Sequence, residues 1–198
     1  MMLDREEIVR SLTAAWELFL DRPGAMRNFD VSVDGFWRSF AAVILVVPSY
    51  ALAVLAERQL SAAIDPAAPV QDGAAFLVQN VLGLGLDWVA LPVILALLAR
   101  PLGIARHYPE FVVARNWGAV IAAVPFGVIG LLIVLGLLGG ELANLLMFAA
   151  LIIVLRYTYL IARRSLDVSL GFAIGIVVLD FVVSLTLALA LDGIFAPQ

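Results

Sequence analysis

Apolar residues fall along this chain in two patterns. In the first twenty positions Ile8, Leu12, Trp16 and Phe19 recur at helical spacing among charged residues, and Asp4 with Glu7 has the D-x-x-E form of a helix N-cap and its reciprocal third-position carboxylate. This predicts an amphipathic helix from about Arg5 to Leu20, ended by Asp21-Arg22-Pro23-Gly24. It suits two positions equally, on the membrane surface or docked on the protein itself. Beyond residue 35 the pattern becomes long apolar runs. The clearest is Ala74 to Ala99, with one carboxylate, Asp87, at its middle. About 20 residues at roughly 1.5 Å rise each cross a hydrocarbon core of ~30 Å, so this run predicts a transmembrane helix. Its charge is tolerable. About fourteen Leu, Ile, Val and Phe contribute roughly 0.3 to 0.6 kcal/mol each, against about 3 kcal/mol for one central Asp.

Four more runs read the same way, giving an all-α, polytopic membrane protein with five transmembrane helices. The expected layout is an N-terminal helix and connector over 1–35, spans at about 36–56, 74–99, 117–138, 141–162 and 168–191, and an external tail over 193–198. Pro48 is expected to kink the first span. Glu57 to Gly73 reads as a polar loop and Gly139-Gly140 as a tight turn. Tyr108-Pro109-Glu110 reads as a helix start whose first two turns, through Trp117, lie in the cytoplasmic interface.

Composition narrows the class. With 64% hydrophobic and 14% charged residues, the chain lies far from soluble usage. There is no Cys, hence no disulfide, thiolate metal site or cysteine nucleophile. A net charge of -4 without a basic run gives nucleic acid nothing to bind. All twelve basic residues are Arg, which, with the heavy Ala, Leu and Val usage, points to a bacterial source. Arg residues resist translocation, and placing the N-terminus in the cytoplasm leaves Arg58 alone outside. The localisation read from this is the inner membrane, with the C-terminus external.

Candidate chemistry sits in the spans. At ~1.5 Å per residue Asp87 and Asp180 both lie about 18 to 20 Å deep, and Arg115 and Arg156 enter roughly 10 Å from the same side. Intramembrane ionisable groups face a bundle interior or a cavity. The four residues are therefore a candidate polar cluster. In one reading the acids relay a proton or cation with Arg156 or Arg115 setting their charge; in the other they fix helix packing through hydrogen bonds. Gln79, Asn80 and Asn144 fall near the outer ends of spans two and four. His107, the one histidine, has no catalytic or metal-binding companions. Gly171 and Gly175 form a G-x-x-x-G on span five, suited to helix packing within the chain or in a homo-oligomer. Gly83 and Gly85 lack the strand-turn-helix setting of a dinucleotide site. No H-E-x-x-H, G-x-S-x-G or Walker pattern occurs, and no catalytic residue, metal or cofactor is expected.

Asp30, Gly35, Phe36 and Trp37 in DVSVDGFW form an Asp...Gly-aromatic-Trp entry to the first span. With the N-terminal segment and five closely spaced helices, this resembles the Yip family of five-span membrane proteins, which in eukaryotes act in vesicle trafficking with small GTPases. The family pattern has Tyr before that Gly and Pro after it, where this chain has Asp34 and Phe36. The resemblance implies a membrane scaffold or interaction role. The resulting expectation is a non-enzymatic inner-membrane scaffold or partner-binding protein. Its contacts would be the lipid bilayer and a protein partner or second copy, with Ile8, Leu12, Trp16 and Phe19 as contact face. The alternative is a small proton- or ion-coupled transporter or channel using Asp87 and Asp180.

Overall fold

Asp4 precedes the first helix in extended backbone, but its side chain makes no capping bond. Glu7 does not reach back to it; its carboxylate accepts instead from Arg38 Nε at 2.9 Å, thirty-one residues away. The expected reciprocal cap is thus replaced by a tertiary ion pair. These residues come from a computed structural model that describes residues 4–66 and 73–195. Among the described residues there are helices and turns and no strand.

Helix α1 (Arg5–Phe19) buries a stripe of Glu7, Ser11, Ala14, Ala15 and Leu18. That stripe lies one position beside the expected contact face. Ile8, Leu12 and Phe19 flank it half-buried, while Trp16 is 49% exposed and stacks on Phe19. The small residues face inward because α1 lies close enough for Tyr157 to donate its hydroxyl to the Ala15 carbonyl at 2.7 Å. The helix ends with Asp21 at φ 55°, and Arg164 Nε donates to the Asp21 carboxylate at 2.9 Å.

The connector is less irregular than its sequence. A 3-10 turn covers Ala25–Asn28, and α2 (Val33–Ser39) is capped by Ser32, whose hydroxyl accepts from Gly35 N at 3.1 Å. Another 3-10 turn, Phe40–Ala42, leads into α3 (Val43–Ile64), which runs through Pro48. Residues 57–64, expected in a loop, are helical. Gln59 donates to the Ile133 carbonyl at 3.2 Å and the Arg58 guanidinium lies over the Phe76 ring, so tertiary contacts hold this polar turn. The rest of that loop, 67–72, and the tail residues 196–198 lie outside the described residues.

The remaining helices are α4 (Gly73–Leu98), α5 (Tyr108–Val134), α6 (Gly140–Leu166) and α7 (Leu170–Phe195). Five helical stretches, the first being Val33–Ile64, are long and apolar enough to cross a membrane. Helix α5 is the centre of the bundle, packed by α3 and α6, with α1 and α2 across its first turns. Helix α4 pairs with α7, which also lies against α6. In the early turns of α5, Phe111, Val112, Val113, Ala114 and Trp117 are buried in the core beneath α1. Ala56, Ile129, Ile133, Ala143 and Ala150 form a smaller core toward the opposite end.

Close helix approach is made by α5. A Cβ at Gly127 would lie 2.6 Å from Ser49 Oγ, and one at Gly130 would lie 2.7 Å from the Leu52 carbonyl oxygen. By contrast, a Cβ at Gly171 or Gly175 would meet nothing within 4 Å. Their expected role in packing within the chain is therefore not the one they have. Both glycines face away from the rest of the bundle.

Candidate functional site: a polar cluster between three long helices

Pro92 lies inside α4 and has no N–H for the carbonyl four residues earlier, that of Trp88. Arg115 of α5 supplies the missing donor. Its Nη1 donates to Trp88 O and its Nη2 to Asp87 O, both at 3.2 Å. The proline and the arginine are therefore complementary, since an unpartnered carbonyl in an apolar bundle is destabilising. Seated this way, Arg115 presents Nη2 to Asp180 Oδ1 of α7 at 3.5 Å. The pair is largely enclosed, with 13% and 25% of the two side chains exposed.

One turn further along α7, Ser184 Oγ donates to Asp87 Oδ1 at 2.5 Å. Asp87, Arg115, Asp180 and Ser184 thus converge from three helices near the middle of α4 and α7. The acids are held differently. Asp180 faces a guanidinium, whereas the Asp87 carboxylate accepts from a neutral hydroxyl while its residue's carbonyl takes the arginine.

Polar contacts continue toward the end where α4 begins. The Tyr50 hydroxyl lies 3.3 Å from both oxygens of Asn80, and a Cβ at Gly83 would lie 3.6 Å from it. Gln79 Nε2 donates to Asp192 Oδ1 at 2.6 Å near that rim. Asn80, Gly83 and Asp87 recur at helical spacing and share one face of α4. In the other direction that face continues into Leu91 and Leu95, both buried in the apolar core.

Arg156 does not join the cluster. Its Nη1 donates to the Phe19 carbonyl at 3.1 Å, closing the C-terminal end of α1, so its role is to hold the N-terminal layer. Arg156 lies on a different face of the bundle from α4, which helix-rise arithmetic does not register. His107 Nδ1 stands 3.4 Å from Glu110. Among the described residues no three His, Cys, Asp or Glu side chains are grouped to hold a metal.

A second polar group lies outside the spans and closes the N-terminal layer. Asp30 Oδ1 accepts from Ser32 N at 3.0 Å, and Asp30 Oδ2 accepts from Arg38 Nη2 at 2.8 Å. Gly35 sits so close to Asp30 that a Cβ would collide with the Asp30 carbonyl oxygen. Hydrogen bonding from Ser32 holds the Asp30 carboxyl below the usual carboxylate range against the opposing effect of burial, with lesser contributions from Arg38 and Arg10. The Asp...Gly spacing of DVSVDGFW therefore has a local physical reason. The aromatics after it also pack, Phe36 lying edge-on to Trp37 and Phe40.

Sequence reading missed Ser184, Pro92, Tyr50 and Asp192. Pro92 carried a signal, because a proline four residues after Trp88 marks a freed carbonyl inside a span. Ser184 carried a weaker one, as it follows Asp180 by one turn. Compared with known proteins, the chain matches no family model, no curated protein and no solved structure.

Proposed function

We propose that this chain is a multi-pass protein of the bacterial inner membrane, with its N-terminus cytoplasmic, that couples to protons or small cations through Asp87 and Asp180. The observation that supports this reading is the convergence of two carboxylates, one guanidinium and one hydroxyl from α4, α5 and α7 at mid-length. Charged groups are expensive at that depth and tend to mark ion or proton pathways. Purified protein reconstituted into liposomes with a pH-sensitive dye inside tests it. The expected result is a proton flux under an imposed gradient that falls to the empty-vesicle baseline in Asp87→Asn and Asp180→Asn; wild-type protein at that baseline, with sodium and potassium flux also absent, would sink the reading.

A second reading is the non-enzymatic scaffold, of the kind the likeness to the Yip family implies. It is favoured by the outer face of α1, where Val9 is 58% and Trp16 49% exposed on a helix otherwise sewn to the bundle. Here α1 is an amphipathic cytoplasmic layer that offers this face to a protein partner or second copy.

A further inference from the structure

We infer that the proton exchanged at this cluster is carried by Asp87, with Asp180 as the fixed counter-ion of Arg115, and that it enters from the end where α4 begins. This rests on the proton-coupled reading above and names the residue and the route.

Charge counting comes first. The cluster holds two acids and one base, so with both acids ionised it carries one uncompensated negative charge. In a low-dielectric bundle such a charge is costly, which favours one protonated acid at rest. Geometry decides which. Arg115 Nη2 faces the Asp180 carboxylate, and its contact with Asp87 is to the main-chain carbonyl. The Asp87 carboxylate has the Ser184 hydroxyl. A hydroxyl can exchange roles. When Asp87 is protonated, its O–H donates to Ser184 Oγ, and the serine hydrogen turns to the carbonyl of residue 180 one turn back on its own helix. The guanidinium has no such freedom, because it is never deprotonated. The groups facing Asp87 are Arg115 from α5, Asp180 and Ser184 from α7, and Tyr50 from α3 by way of Gly83. Arg156 of α6 is turned away to Phe19.

The route follows from what lies on either side. Toward the start of α4 come Gly83, bordered by the Tyr50 hydroxyl and the Leu191 side chain, then Asn80 with Tyr50, then Gln79 with Asp192 at the rim. Toward its end come Leu91 and Leu95, at 1% and 0% exposure, within a core that includes Trp88, Phe111 and Trp117. Toward the start of α4 hydrogen-bonding groups recur at each turn up to Gln79. Toward its end the polar groups are already engaged, the Tyr108 hydroxyl on the Pro92 carbonyl at 2.9 Å and Arg115 on Trp88 O, among side chains that are otherwise buried and apolar.

The test uses full-length protein in liposomes and dicyclohexylcarbodiimide, an apolar reagent that takes a carboxylic acid in its protonated form. The acid proton moves to a reagent nitrogen, the carboxyl oxygen bonds to the central carbon, and acyl migration leaves a stable adduct with nothing expelled. Peptide mapping of the wild type is expected to find the adduct on Asp87, lost in Asp87→Asn. In Asp180→Asn the freed guanidinium recruits Asp87 as its counter-ion, so labelling at Asp87 is expected to fall. An adduct on Asp180 in the wild type, or on neither acid, overturns the assignment. The chain has no cysteine of its own, so Asn80→Cys and Leu91→Cys report the route. A membrane-impermeant thiosulfonate is expected to block the first from one side of the vesicle and the second from neither; reaction at Leu91→Cys with Asn80→Cys inert overturns the route. Labelling at Asp87 without flux would remove the proton-coupled function and leave the protonation assignment standing. Flux without it would do the reverse.

Discussion

Gly130 and Gly171 look alike in the sequence, each a small residue in an apolar helix, and the structure gives them opposite roles. At Gly130 the neighbour is backbone, the Leu52 carbonyl and the Ala53 nitrogen, which cannot step aside as a side-chain tip can. Gly130→Ala is expected to lower stability by about 1 to 3 kcal/mol, the usual range for overpacking. Gly171→Ala meets open space and trades a helix-interior glycine for the best helix former, so it is expected to be neutral or to gain up to about 1 kcal/mol. Thermal unfolding of the two variants in the same detergent checks the pair, and equal melting temperatures would contradict it. G-x-x-x-G at 171–175 was the more legible motif because it matches a known packing pattern. What it lacked was any indication of which helix stood opposite, and that is a property of the assembled bundle.

The element whose reading changed most is α1. Its helical period was legible from Ile8 onward, but the stripe turned to the bundle lies one position beside the apolar one, because the pattern ranks residues by hydrophobicity. Close docking on α5 and α6 ranks them by size, so Ser11, Ala14 and Ala15 turn inward and Trp16 turns out. The layer is fastened by ion pairs, Glu7 and Asp30 with Arg38 and Asp21 with Arg164. Asp30 gives this fastening a pH dependence. Its carboxyl is held below the value it has in the unfolded chain, so its contribution to stability is fully present above the ordinary carboxylate range and is lost as pH falls through the folded value. The protection of residues 5–19 against hydrogen exchange, relative to the unfolded chain at the same pH, is therefore expected to be high at pH 7 and to fall as pH drops below about 4. In Asp30→Asn protection should be lower at pH 7 and show less of that acid dependence; a variant protected like the wild type at both pH values would exclude the mechanism.

For the whole molecule, five apolar helices were legible from the length of their runs, since crossing a hydrocarbon core sets a minimum that few other structures meet. The arrangement of those helices around α5 was not, because apolar runs carry almost no periodicity to show which face is inside. The site was legible by halves for the same reason. Asp87, Asp180 and Arg115 stood out as charges in grease, but the exclusion of Arg156 and the inclusion of Ser184 depend on which helices touch. The reading of topology rests on the Arg distribution, and it yields a direct expectation. A reporter active in the cytoplasm alone should be silent when fused after Gln198 and active when fused ahead of Met1. Activity at both positions would require an even number of crossings.

The hydrogen bond from Tyr157 to the Ala15 carbonyl joins residues 142 positions apart. The amino-terminal arm leaves the ribosome before any of its partners exist. Phe111, Trp117 and finally Tyr157 must be threaded into the bilayer before its inward stripe has anything to close upon. Synthesis order and docking order are thus reversed for this segment. This early segment is seated only once the fourth crossing is complete, and until then its uncovered face is free for insertion machinery or chaperones to hold.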